Sequence, residues 1–357
     1  MENGTILFTA PNKVEMSKLF MPKSYGIVLV ILGHILRVGP NHVIKLQWAQ
    51  VISDFIYMFH MNLFFVIAGI VFFLKIDYYL LYPKEFFIKQ GLRFALPFVT
   101  INLLYTISFY ICIRLFNLHI LTGGHRYNTI FLCIGGSWFL CAMLFAKIFS
   151  YVVFKISSIY FKTNVYRYIA FILLFWIGLY FIKTPVLVNF FKQFPFDWHL
   201  EGRLFWFNLS FIIVVFVNIN RIKFNVYHLV LLLLLLVISY KYTSHTMAFR
   251  YIYIMLVITL ILMISHFKNK YSDQFILWVA KLGMPIYLLH FFVIDFIWQP
   301  VYNQFISQKW FGNGYTYFAI AFIFVSAITL AISNITSNIP IINLILFGDK
   351  TQMKTVK

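Results

Sequence analysis

KSYGIVLVILGH, residues 23–34, begins with a lysine and ends with a histidine, and the ten residues between them are uncharged. Apolar runs of this kind recur from residue 24 almost to the end of the chain, so this one reads as the first of a series of membrane-crossing helices. At about 100° per residue, eleven positions are close to three full turns. Lys23 and His34 therefore share one helix face, about 16 Å apart along the axis. The lysine falls at the cytoplasmic mouth of the span and the imidazole somewhat past the membrane midplane. An ionisable group at that depth is costly, which makes it a functional hypothesis by default.

Composition supports the membrane reading. Of 357 residues, 62% are hydrophobic and 11% charged, with a mean hydropathy of +0.85. Soluble domains carry roughly 25% charged residues. A net charge of +19 raises the question of nucleic acid, but the basic residues are scattered one to four per loop. That distribution suits membrane topology and anionic headgroups, so no nucleic-acid partner is expected. Cys112, Cys133 and Cys141 lie in apolar segments without metal-ligand spacing and read as small core residues, so no metal site is expected. The N-terminal stretch has no clean apolar core before a small-residue cleavage site, so the first span is expected to remain in the mature protein.

Windows of about 20 apolar residues give ten spans, near 24–40, 51–74, 92–113, 129–154, 168–184, 204–220, 226–242, 249–267, 275–298 and 315–337. The expected fold is thus an all-α integral membrane protein, with about ten transmembrane helices in one bundle. The side holding the termini and the even-numbered loops carries 17 Lys and Arg residues, against 10 on the other. This asymmetry places both termini in the cytoplasm. Residues 1–23 then form a cytoplasmic N-terminal segment, 24–337 the transmembrane domain, and 338–357 a short interfacial or cytoplasmic tail.

Four further stretches carry polar chemistry. In KEFFIKQGLRFALPF (84–98), Lys89 and Arg93 stand four apart at the cytoplasmic start of the third span. The pair suits a phosphate or pyrophosphate, and equally a simple positive-inside anchor. FHMNLFFVIAG (59–69) places His60 inside the second span, with Gly69 permitting close helix approach. GGSWFLCAMLF (135–145) sets paired glycines before Trp138. LGMPIYLLHFFVI (282–294) holds His290 behind Pro285, which is expected to break the helix ladder and free carbonyls. Desolvation favours a neutral imidazole, whose free ring nitrogen can accept a proton from a hydroxyl. His34 thus reads either as a general base or as a structural residue hydrogen-bonded across helices.

Taken in order, these five blocks resemble the integral-membrane acyltransferase family 3. The branch they most resemble is the sugar O-acetyltransferases, including the fucose 4-O-acetylase-like proteins. KSYGIVLVILGH resembles the family's first span, where a basic residue precedes a His by eleven positions. FHMNLFFVIAG resembles the block usually written FHMPLFFFISG, IKQGLRFALPF the basic stretch leading into a span with Pro, GGSWFLCAMLF the WFLPALF block, and LGMPIYLLHFFVI the late YLLH block. The resemblance implies transfer of an acyl group, usually acetyl from cytoplasmic acetyl-CoA, to a glycan hydroxyl. It implies His34 as the catalytic residue and Lys23, Lys89 and Arg93 near the acyl donor, with His60, Trp138 and His290 in support.

The chain also departs from the pattern. Lys23 stands where many members have Arg, and Gln90 occupies the first of two positions that commonly hold arginines three apart, Arg93 matching the second. Asn62 and Cys141 replace prolines of the second and fourth blocks.

The resemblance further implies acetyl-CoA as co-substrate with no permanently bound cofactor, and a glycan or lipid-linked sugar as acceptor. The setting is a multi-pass protein of the cytoplasmic membrane, in contact with membrane lipid and modifying a polysaccharide of the cell envelope by O-acetylation. The residues alone leave a second class open, a multi-pass transporter or exporter of glycan, lipid or small anions, since buried His residues also suit proton-coupled transport.

Overall fold

The computed structural model describes residues 19–38, 47–116, 137–182, 200–216, 230–235, 247–264, 272–298, 301 and 314–349. All regular secondary structure among them is helical. In chain order the elements are α1 (Phe20–Val38), α2 (Gln47–Phe73), α3 (Ile76–Leu81), α4 (Pro83–Gln90), α5 (Leu96–Phe116), α6 (Trp138–Tyr160) and α7 (Asn164–Ile182). They continue with α8 (Leu200–Phe216), α9 (Met247–Ile264), α10 (Ser272–Lys281), α11 (Gly283–Val293), α12 (Gly314–Asn338) and α13 (Pro340–Phe347). Short π-helical turns at Gly91–Ala95 and Ile294–Trp298 join α4 to α5 and extend α11.

Five of the described helices are long and apolar enough to cross a membrane, and six if the bent pair α10–α11 is one span. Shorter apolar helices over Phe20–Leu36, Gly202–Val215 and Arg250–Leu262 fall where further spans are expected. The expected seventh span, 226–242, is described only over 230–235. Both termini, to which the cytoplasmic assignment applies, lie outside the described residues.

Helix directions follow from which residues meet. Along α1 from Gly26 to Gly33, the facing residue on α2 falls from Phe64 to Ile56, so the two are antiparallel. Asn62 meets Arg203 and Gly69 meets Ser210, so α2 and α8 run parallel. Ile27 meets Gly283 and His34 meets His290, so α1 and α11 also run parallel. These are the relative directions expected of the second and sixth spans and of the first and ninth.

Lipid tails are as apolar as leucine, so helix association rests on close packing and interhelical hydrogen bonds. Both are present. A Cβ on Gly26 would come within 2.9 Å of the Phe64 ring, one on Gly33 within 2.9 Å of Ile56, and one on Gly69 would meet the Phe207 carbonyl and Ser210. Buried Ser150 donates to Asn208 Oδ1 at 2.9 Å, and buried Ser137 to Asn102 Oδ1 at 3.0 Å. A cluster of fully buried aromatics (Phe72, Phe73, Phe86, Phe154, Phe171, Phe207 and Phe211) fills the space between α2, α4, α6, α7 and α8.

Two local expectations shift. The helix that carries the third span begins before residue 92, since one continuous helix covers Pro83–Ser108. Lys84, Glu85, Lys89 and Arg93 interrupt the apolar run in sequence, yet their neighbours Phe86, Gln90 and Phe94 are buried. The ninth span is bent by 71°, and the bend falls at Leu282 rather than at Pro285. Pro285 sits in the first turn of α11, where its missing N–H has no intrahelical partner to lose.

Candidate active site

α1 supplies both ends of the site. Its Lys23–His34 face lies against the bent pair along its whole length. At one end Lys23 Nζ donates to the Ala280 carbonyl at 2.7 Å, and neighbouring Ser24 donates to the Ile276 carbonyl at 2.7 Å. The Ala280 carbonyl, left over where α10 ends, is thus met by Lys23, a cation at a helix C-terminus being favourable for the dipole as well. Gly283 makes room for this contact, since a Cβ there would come within 2.6 Å of Lys23 Cε. Lys23 is therefore tied to the bend at the mouth of the span.

At the other end the imidazoles gather. The His34 ring lies 5.1 Å from that of His290 and 6.3 Å from that of His60, centroid to centroid. Its Nδ1 hydrogen-bonds the Tyr57 hydroxyl, and Phe291 packs on it at 4.1 Å. Tyr57 and His60, three apart on α2, bring their rings within 5.0 Å.

His60 is 2% exposed and His290 fully buried. Each places Nδ1 against the carbonyl four residues back, Ile56 at 2.7 Å and Ile286 at 3.1 Å. A carbonyl only accepts, so Nδ1 carries the proton in both rings and Nε2 carries the lone pair. His290 Nε2 is buried and has no hydrogen-bond partner among the described residues. A buried acceptor left open inside a cluster of imidazoles is placed to receive a donor from a bound molecule. No group of three or more His, Cys, Asp or Glu side chains among the described residues is arranged to hold a metal ion.

Trp138 stands apart from this cluster, beside a cation. Arg203, one of the ten basic residues on the other side in the sequence count, lies on α8 with its guanidinium 5.6 Å from the Trp138 ring and hydrogen-bonds Asn62 Oδ1. Its Nε is buried and unpartnered among the described residues. Tyr287 links the groups, 4.9 Å from Phe139 and 5.8 Å from His290, centroid to centroid.

The basic residues form a second cluster. Lys89 and Arg93 are both exposed, separated by the start of the π turn, while Gln90 between them turns inward and is buried. Lys147, which lies within the fourth span, reaches Gln90 from α6. Lys89 and Arg93 are close enough to act on one another electrostatically, and Arg93 acts on Lys23. The site residues expected from sequence thus fall into two groups. His34, His60 and His290 meet in one place. Lys89, Arg93 and Lys23 share another, with Trp138 set apart from both beside Arg203. Tyr57 went unnoticed in sequence, although it shares a helix face with His60.

An apolar cleft between α7 and α8, lined by Phe171, Phe175, Trp176, Phe205 and Phe211, lies away from these side chains and carries none of the chemistry.

Residues 23–337 match a family model described as an acyltransferase domain. No curated protein and no solved structure matches the chain.

Proposed function

The chain belongs to acyltransferase family 3, whose domain covers residues 23–337, and from that premise we propose that it transfers acetyl from acetyl-CoA to a hydroxyl of a cell-envelope or exported glycan. Its place is the cytoplasmic membrane, crossed about ten times with both termini inside. The observation that carries the reading is the position of His34, within ring contact of His290 and hydrogen-bonded to Tyr57. On the same helix, Lys23 marks the level of the basic residues.

The chemistry follows from that arrangement. In the tautomer whose Nδ1–H faces the Tyr57 oxygen, His34 presents the Nε2 lone pair as base. Nε2 takes the proton of the acceptor hydroxyl as its oxygen attacks the thioester carbonyl carbon. The tetrahedral adduct then collapses, the carbon–sulfur bond breaks, and the imidazolium returns its proton to the departing thiolate. The products are the glycan ester and the free thiol. A positioned base of this kind contributes about 10²–10⁴-fold in rate. A sugar presents adjacent hydroxyls, and His290 Nε2 is the acceptor for the second one. Lys89 and Arg93 face the cytoplasmic side, where they pair with the phosphates of the donor.

The family membership favours acyl transfer over the transporter reading. The test is the mass of envelope glycans from cells with and without the gene. A loss of one acetyl per repeating unit on deletion supports the proposal, and identical glycan masses overturn it.

A further inference from the structure

Lys147 is a charge in the wrong place for a scaffold. It sits on α6 nine residues beyond Trp138, about 14 Å further along the helix, and is only 9% exposed. Its Nζ donates to Gln90 Oε1 at 3.2 Å and stands 4.6 Å over the Phe94 ring. An ammonium has three donors. One is used by Gln90 and a second side is covered by the ring, and no further hydrogen-bond partner stands among the described residues.

The charges that act on Lys147 are those of Arg93, Lys89 and Lys75, all of its own sign. Of the nearby carboxylates, Glu85 acts on Lys89 and accepts from Tyr78, Asp77 acts on Tyr168, and Asp349 acts on Lys23. A buried amine among cations holds its proton only where an anion completes the group, since desolvation and like charges both favour the neutral form. Gln90 is held from two sides, by Lys147 and by Tyr79, so the pair is fixed in advance. Lys89 and Arg93 are exposed at the rim and Lys147 is buried beneath them.

We propose that Lys147 is the floor of an anion site roofed by Lys75, Lys89 and Arg93, and that it takes the diphosphate end of a nucleotide-linked acyl donor. A diphosphate supplies at least two negative charges and several acceptor oxygens, which one buried ammonium and a cationic rim match. The inference rests on the donor reading above and adds the residue that discriminates phosphate from the rest of the donor.

The test is titration of the purified full chain with three probes: acetyl-CoA, S-acetylpantetheine (the same thioester without phosphates) and inorganic pyrophosphate. Lys147→Met is expected to weaken acetyl-CoA and pyrophosphate about ten- to a hundredfold and to leave S-acetylpantetheine unchanged, with Lys147→Arg retaining most of the affinity. Gln90→Glu is the second variant, since it keeps the lysine and places a carboxylate beside it. It is expected to weaken pyrophosphate binding while the protein stays folded. Wild-type affinity of folded Lys147→Met or Gln90→Glu for pyrophosphate overturns the site. Pyrophosphate binding that depends on Lys147, without any binding of acetyl-CoA by the wild type, keeps the anion site and overturns the donor reading instead. Failure of the wild type to bind either phosphate probe overturns both.

Discussion

His34 and His290 approach to 5.1 Å between ring centroids although 256 positions separate them in the chain. The contact exists because α1 and α11 run parallel from the bend at Leu282, where Lys23 and Ser24 hold the carbonyls of α10. A latch at one end of α1 therefore sets the register of the imidazoles at the other.

His290 supplies an open acceptor rather than a fold-holding bond, since its Nε2 has no partner among the described residues. His290→Leu removes that acceptor and leaves an apolar side chain of similar bulk. Acylation measured against acceptor concentration should show KM raised about five- to tenfold, the loss of one hydrogen bond worth about 1 kcal/mol, with kcat less affected. An unchanged KM at normal protein abundance would return His290 to a packing role.

Lys23→Met should act on stability before chemistry. The Ala280 carbonyl at the bend loses its charge-assisted partner, at a cost of about 1.5–3 kcal/mol. Thermal unfolding of the detergent-solubilised protein should drop, and Lys23→Arg should restore part of it. If Lys23→Met keeps the wild-type unfolding temperature but loses acetyl-CoA affinity, Lys23 is a donor ligand and the latch is secondary.

Much of this was legible in sequence. The Lys23–His34 spacing gave the shared helix face, and His60 and His290 were each placed inside a span. The rest needed tertiary contacts. Arg203 reads as a loop cation because it stands at the start of a short apolar run, yet its side chain turns inward to Asn62 and Trp138. Lys147 is one cation in an otherwise apolar helix, and nothing local says that Gln90, 57 positions away, waits for it. Pro285 drew the bend to itself, although a proline in a first turn breaks no hydrogen bond and the ladder ends three residues earlier.

Gly69 tests the packing directly. Its α-carbon faces the Phe207 carbonyl and Ser210 of α8, so a methyl group has nowhere to go without moving backbone. Gly69→Ala should destabilise the protein by about 1–3 kcal/mol, read as a lower unfolding temperature or reduced accumulation in the membrane. Gly91→Ala, where an added Cβ meets nothing within 4 Å, is the control and should be tolerated. Equal behaviour of the two variants would contradict the α2–α8 contact.

The central claim is that His34 is the base of an acyl transfer, and its most direct test is glycan acetylation by the His34→Asn variant, measured by mass spectrometry alongside its level in the membrane. Asparagine keeps a polar side chain beside Tyr57 but has no nitrogen that takes up a proton at neutral pH. Acetylation is expected to fall by about 10²–10⁴-fold while the protein accumulates as the wild type does. Near-normal acetylation at normal abundance would contradict the account and leave His34 as a hydrogen-bonding partner of Tyr57.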